Sequence, residues 1–196
     1  MISVKLENIC KSYHKKEVLK NINYEFQKGL YILCGENGIG KSTIIKIIKG
    51  FVKPTKGEVI INGKICYIPD KVVFPSYLTI DNILKSLKDY YKSKIEISEL
   101  YKLFNYTAYK DYRIKHISKG TYQKLLLSIS LLNLSDIYLF DEPLNGLDHE
   151  TCLVFKNFLQ TIINDNKIII ISSHLPDFYL DLNPTIIHIE SGILKC

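Results

Sequence analysis

Three features of this 196-residue sequence predict an α/β fold with its ligand site at the C-terminal ends of the strands. Short apolar, strand-like runs alternate with helical ones along the chain. A glycine-rich loop, Gly35-Glu36-Asn37-Gly38-Ile39-Gly40-Lys41-Ser42-Thr43, stands between an apolar run at 30–34 and a helical run at 44–49. A second apolar strand, 136–140, ends in Asp141-Glu142-Pro143.

Residues 3–9 and 18–26 alternate apolar and polar and read as strands of an antiparallel edge layer. Residues 11–16 form a turn between them that carries Tyr13. The loop that follows has the spacing G-x-x-x-x-G-K-[ST] of a phosphate-binding loop. Glycine lets the backbone approach an anion without a Cβ in the way. Loop N–H groups and a helix N-terminus then face the phosphates. Lys41 supplies a mobile cation for the β- and γ-phosphates, and the Ser42 hydroxyl is placed to ligate Mg²⁺. The loop is therefore expected to hold a nucleoside triphosphate.

Gly50, Pro54 and Gly57 punctuate the next stretch, which continues in two short strands, 58–61 and 64–68, around Asn62-Gly63. A proline-bounded loop spans 69–75. From Thr79 to about Lys115 the apolar spacing turns helical, and residues 79–124 are taken as a small helical subdomain inserted in the α/β core. An apolar helix is expected at 122–132, with Ser118 as its N-cap. A helix at 148–163 follows the two acids, then an apolar strand at 168–171, Ser172-Ser173-His174, and closing strands at 185–189 and 193–196.

Composition bounds the answer. With 46% apolar residues the chain reads as one globular domain, 1–196. No run of eighteen apolar residues and no signal-peptide h-region are seen, and the five scattered cysteines contain no C-x-x-C, so a reducing cytoplasm is expected and zinc is not. Cys34 beside the loop invites thought of redox control, but a small buried residue at a strand end is the expected role. The net charge of +6 is uneven: residues 79–124 carry ten Lys/Arg against five Asp/Glu, and half of the fourteen tyrosines. Such a surface suits anionic lipid, a partner's cytoplasmic loops or nucleic acid, or is simply a solvated helical face.

A carboxylate ending a hydrophobic strand is where P-loop NTPases hold Mg²⁺, which assigns Asp141, and the adjacent Glu142 is placed to orient an attacking water. Phosphoryl transfer needs mainly positioning and charge stabilisation, so one base and one polar ligand suffice.

These residues together resemble the ATP-binding-cassette (ABC) ATPases. Gly35–Thr43 is similar to their Walker A motif, and Leu139-Phe140-Asp141-Glu142-Pro143 to Walker B with its catalytic glutamate. Ile117-Ser118-Lys119-Gly120-Thr121-Tyr122-Gln123-Lys124 resembles the family signature. Leu144-Asn145-Gly146-Leu147-Asp148 resembles the D-loop, His174 the switch histidine, and residues 52–58 the stretch after the first helix. The resemblance implies a P-loop NTPase (RecA-like) core with the antiparallel edge layer and the helical insertion. It also implies ATP and Mg²⁺ as ligands, hydrolysed in a head-to-tail dimer. Two ATP molecules would lie between Walker A of one copy and Ser118, Lys119, Gly120 and Thr121 of another, an identical or a different ABC ATPase. Tyr13 would stack on adenine, Glu142 polarise the water, His174 bond the γ-phosphate, and Asp148 serve the D-loop.

Three departures stand out. Lys119 and Thr121 replace a glycine and the glutamine of the signature, an S-K-G form resembling that of bacterial exporters. Asp70 stands where the family carries the Q-loop glutamine, and as a shorter, anionic side chain would reach Mg²⁺ only through water. The chain stops soon after the switch region, without the regulatory extension of some importers.

The expected function is thus the ATP-hydrolysing subunit of an ABC transporter. It would sit peripherally on the cytoplasmic face of the membrane through a separate transmembrane permease, driving export, with no nucleic acid. The alternative is a soluble ABC ATPase acting on nucleic acid or ribosomes, but the coiled-coil insertion and the tandem second cassette of those members are not seen. A GTPase or small-molecule kinase fits less well, since Asn145-Gly146-Leu147-Asp148 is not the N-K-x-D guanine reader.

Overall fold

The computed structural model describes residues 1–14, 16–70 and 72–195. Lys15 of the first turn, Lys71 of the proline-bounded loop and Cys196 of the last expected strand lie outside the described residues. The chain divides into two compact units, residues 1–69, 135–143 and 160–196 in the first, and 70–134 and 144–159 in the second.

The first unit holds both sheets. Strands β1 (Ser3–Tyr13), β2 (Lys16–Phe26) and β4 (Lys56–Asn62) form an antiparallel sheet in the order β2-β1-β4. Strands β3 (Gly29–Cys34), β5 (Ile65–Ile68), β6 (Ile137–Asp141), β7 (Ile168–Ser172), β8 (Thr185–Glu190) and β9 (Ile193–Lys195) form a second sheet, ordered β5-β6-β7-β3-β8-β9. Its pairs are parallel except β8 with β9. Every residue of β6 and β7 is buried, as expected of strands covered on both faces. Helix α1 (Lys41–Lys49) contributes Ile44, Ile45, Ile47 and Ile48 to a core that also takes Leu6, Leu19, Phe26, Leu33, Leu139 and Ile170. It ends at left-handed Gly50, where the N–H groups of Gly50 and Phe51 return to Ile47 and Lys46 carbonyls.

Two expectations change here. β1 and β2 run through most of the segment read as a turn, because their pairing shifts register at three places and Asn8 and Asn21 take positive φ. Each shift resets the alternation, so a strict period-two reading stops early. The Asn62-Gly63 turn does not close a hairpin between its flanking strands. β4 pairs with β1 and β5 with β6, so the turn carries the chain from one sheet to the other.

The second unit is helical. α2 (Ile80–Tyr91) opens on a capping box between Thr79 and Asn82, and α3 (Ile97–Leu103) follows. The helical pattern does not continue to Lys115: Asn105 at φ 48° ends it, and only short 3₁₀ turns at Thr107–Tyr109 and Ile114–His116 follow. Carbonyls of Lys110 and Tyr112 instead accept from the first N–H groups of α2. α4 (Lys119–Leu132) starts three residues earlier than the apolar run alone indicates, and the buried Tyr106 hydroxyl lies 2.6 Å from Ser128 Oγ on it. α5 (His149–Asn164) begins after Asp148.

Candidate active site

β3 delivers the chain to the glycine loop, and α1 leaves it with no acidic residue in its first turn. The partial positive charge at that helix end is thus uncompensated by any neighbouring side chain of the turn. Gly40 sits at φ 126°, and a Cβ there would lie 2.8 Å from Leu19 Cδ2, so the close turn into α1 needs glycine. A cavity of about 170 Å³ lies along the loop, lined by Asn37, Gly38, Gly40, Lys41, Ser42, Thr43 and Glu142. Lys41 is only 6% exposed. Its ammonium donates to the carbonyls of Gly35 (2.7 Å) and Glu36 (3.1 Å) and lies 3.9 Å from Glu142 Oε1. These partners confine a buried cation at the cavity wall, which suits an anionic ligand.

The parallel register of β6 and β7 sets Asp141 opposite Ser172. Asp141 Oδ1 accepts from Ser42 Oγ at 2.7 Å and from Ser172 Oγ at 2.6 Å. The chain turns out of β6 at Glu142, which takes φ 50°. A left-handed conformation costs a non-glycine residue about 1–2 kcal/mol. Here the Glu142 N–H is held by both the carbonyl (3.2 Å) and the hydroxyl (3.0 Å) of Ser172. The turn aims the Glu142 carboxylate so that Oε2 lies 2.9 Å from His174 Nδ1 while Oε1 faces Lys41. Such strain, over-determined by its surroundings, is characteristic of functional sites.

No group of three His, Cys, Asp or Glu that could hold a metal is present among the described residues. Magnesium does not need one: it is commonly held by one or two protein oxygens together with substrate phosphates. Ser42 Oγ and Asp141, 2.7 Å apart with Ser42 lining the cavity, fit that requirement.

Cys34 ends β3 buried, its thiol pushed up to about 11, chiefly by desolvation. It is a packing residue, as the strand-end position implied. Tyr13 ends β1 exposed, with the Lys11 ammonium 4.9 Å over its ring, and it does not line the loop cavity.

In the second unit, Ser118 caps α4 by accepting from the Thr121 N–H at 3.1 Å, with the two hydroxyl oxygens 3.0 Å apart. The Lys119 stem covers Gly146, where a Cβ would meet Lys119 Cδ at 2.7 Å. Asp148 accepts from the amide and hydroxyl of Thr151, both at 2.7 Å, and caps α5. These bonds, the hydroxyl first, hold its carboxyl below the usual carboxylate range. Asp70 Oδ1 accepts from the Asn145 amide at 3.5 Å.

The structure therefore brings Lys41, Ser42, Asp141, Glu142 and His174 into one cluster within the first unit. It adds Ser172, to which the sequence reading gave no role. The signal for it was a hydroxyl closing an otherwise wholly apolar strand, meaningful only once that strand is paired with the one ending in Asp141.

Residues 19–145 match the ABC transporter family. The chain is 32% identical over 187 residues to an uncharacterized ABC transporter ATP-binding protein of Methanocaldococcus jannaschii, covering 87% of this chain and 68% of that one. It is 33% identical over 183 residues to a lantibiotic transport ATP-binding protein of Streptococcus pyogenes, covering 88% and 80%. It is 34% identical over 150 residues to a zinc import ATP-binding protein of Rickettsia bellii, covering 74% and 64%. Among solved structures, a dimeric bacterial ABC transporter cassette superposes with TM-score 0.84 at 23% identity, covering 98% of this chain and 97% of that one, a likeness of fold. The chain belongs to the ABC transporter family and is one of its ATP-binding, ATP-hydrolysing subunits.

Proposed function

We propose that this subunit uses Mg²⁺-ATP to close a head-to-tail dimer of cassettes and so drives a separate membrane permease, in the export direction. The observation that carries the reading is the cluster at the loop cavity, where Ser42 and Asp141 meet at 2.7 Å and Glu142 stands between Lys41 and His174. In this reading the loop amides from Gly35 to Thr43 and the Lys41 ammonium hold the phosphates. Ser42 and Asp141 hold the magnesium ion, which supplies charge neutralisation at the phosphate oxygens when bound. Glu142 accepts a proton from the attacking water, and His174 orients Glu142 and reaches the γ-phosphate. Tyr13 offers its exposed ring to adenine.

Ser118, Lys119, Gly120 and Thr121 act on the ATP of the other copy. Their support is their place at the N-terminus of α4, a helix end whose partial positive charge favours an anion. Asp148 and Asn145 shape the D-loop, and Asp70 acts on the metal through water. Residues 79–124 form the helical subdomain, and the permease docks beside its leading loop, where Val73 and Tyr77 are largely exposed. No helix among the described residues is long and apolar enough to cross a membrane, so the spanning part is assigned to that partner. Export is favoured by the S-K-G signature and by the fuller coverage of a peptide export ATP-binding protein of Bacillus subtilis (97% of this chain and 87% of that one) than of the zinc import one.

The test is purification of the tagged protein from detergent-solubilised membranes. A multi-span protein should accompany it and raise its ATPase rate. Recovery with ribosomes or nucleic acid instead, with hydrolysis stimulated by them, would replace this reading with the soluble alternative.

A further inference from the structure

We propose that Ser172 is a positioning residue for ATP hydrolysis, locking Asp141 and Glu142 into one rigid unit. The proposal rests on the roles given above to those two acids. Ser172 is fully buried at the end of β7 and lines no cavity with the loop. A hydroxyl has one proton to give and lone pairs to receive. The Ser172 proton goes to Asp141 Oδ1 at 2.6 Å, and a lone pair receives the Glu142 N–H at 3.0 Å. The same atom thus fixes the carboxylate assigned to the metal and the left-handed backbone of the residue assigned as base.

Ser42 shares that Oδ1. Once the Ser42 hydroxyl turns toward a magnesium ion, Ser172 is the hydroxyl left to orient Asp141. Without it, the carboxylate is free to rotate about its own χ2, and the Glu142 amide keeps only the Ser172 carbonyl at 3.2 Å. Partners behind a metal ligand act in this way, through the ligand's orientation rather than by touching the metal.

The experiment compares Ser172→Ala, Ser172→Cys and Ser172→Thr with the unaltered protein. The readouts are kcat, the Mg²⁺ concentration needed for half-maximal binding of a fluorescent ATP analogue, and binding of that analogue without metal. Ser172→Ala should lower kcat about tenfold or more and raise the Mg²⁺ requirement by a similar factor. Metal-free binding should stay within about twofold, because the loop and Lys41 are untouched. Ser172→Cys keeps the volume but is a weak donor, and should follow alanine; Ser172→Thr keeps the hydroxyl and should restore both quantities. A Ser172→Ala protein with unaltered kcat and Mg²⁺ requirement overturns the proposal, as does a threonine variant no better than alanine. Glu142→Gln is assayed in parallel: normal turnover by it would overturn the assignment of Glu142 while leaving the Mg²⁺ titration to judge Ser172.

Discussion

Glu142 Oε2 lies 2.9 Å from His174 Nδ1, and Oε1 of the same carboxylate lies 3.9 Å from the Lys41 ammonium. A single side chain therefore stands between a buried ammonium and an imidazole, on a backbone turned into the left-handed region to put it there. Its position depends on three elements at once: β6, β7 and α1.

Glu142→Gln keeps the shape of this arrangement and removes the proton acceptor. Hydrolysis should fall by about 10²–10⁴. ATP should still bind, and gel filtration with Mg²⁺-ATP should show a trapped dimer. Turnover at the normal rate would remove Glu142 from its role.

Lys41→Ala removes a buried cation that charge-assisted bonding makes worth about 1.5–3 kcal/mol. ATP affinity by calorimetry should drop at least ~10-fold. An unchanged affinity would show that the loop amides alone hold the phosphates.

Cys34 should be inert. With its thiol raised to about 11, the folded protein at pH 8 exposes about a thousandth of it as thiolate, in a buried position. Iodoacetamide followed by peptide mass spectrometry should leave Cys34 unmodified until the chain is denatured. The linkage sign follows from the raised value: the folded thiol keeps its proton between pH 9 and 11 while the unfolded one releases it, so its contribution to stability falls as pH rises through that window.

Asp148 caps α5, and Asp148→Ala should cost about 1 kcal/mol at neutral pH, read from urea unfolding. Because its folded carboxyl titrates below the usual range, the stabilisation is present above the unfolded value of 3.8 and lost as pH falls through the folded one. The difference between the two proteins should therefore shrink in acid. Asp148→Asn, which keeps an acceptor, should lose little at either pH.

The sequence made legible whatever depends on a short local pattern. The glycine loop, the two acids after an apolar strand and the Ser118 cap were all readable because spacing along the chain already implies their geometry. Less was readable where pairing between distant strands decides. The register shifts between β1 and β2 break the alternation, the first of them at Asn8, and nothing in residues 58–68 states that the Asn62-Gly63 turn joins two sheets. The same limit hid Ser172: its partner Asp141 lies 31 positions away, and only the β6–β7 register joins them. The irregular segment after α3 is illegible in the sequence because its apolar spacing is helical while Asn105 turns the backbone the other way.

The order of the larger sheet bears on how this protein is made. β3 does not pair with β6; β7, which follows both in sequence, is laid between them. While the ribosome is still adding residues 142–167, the loop and the two acids have no plank to join them. A nascent chain can therefore lay down its first sheet before residue 168 is added, whereas the loop and the two acids are joined only once β7 has been made.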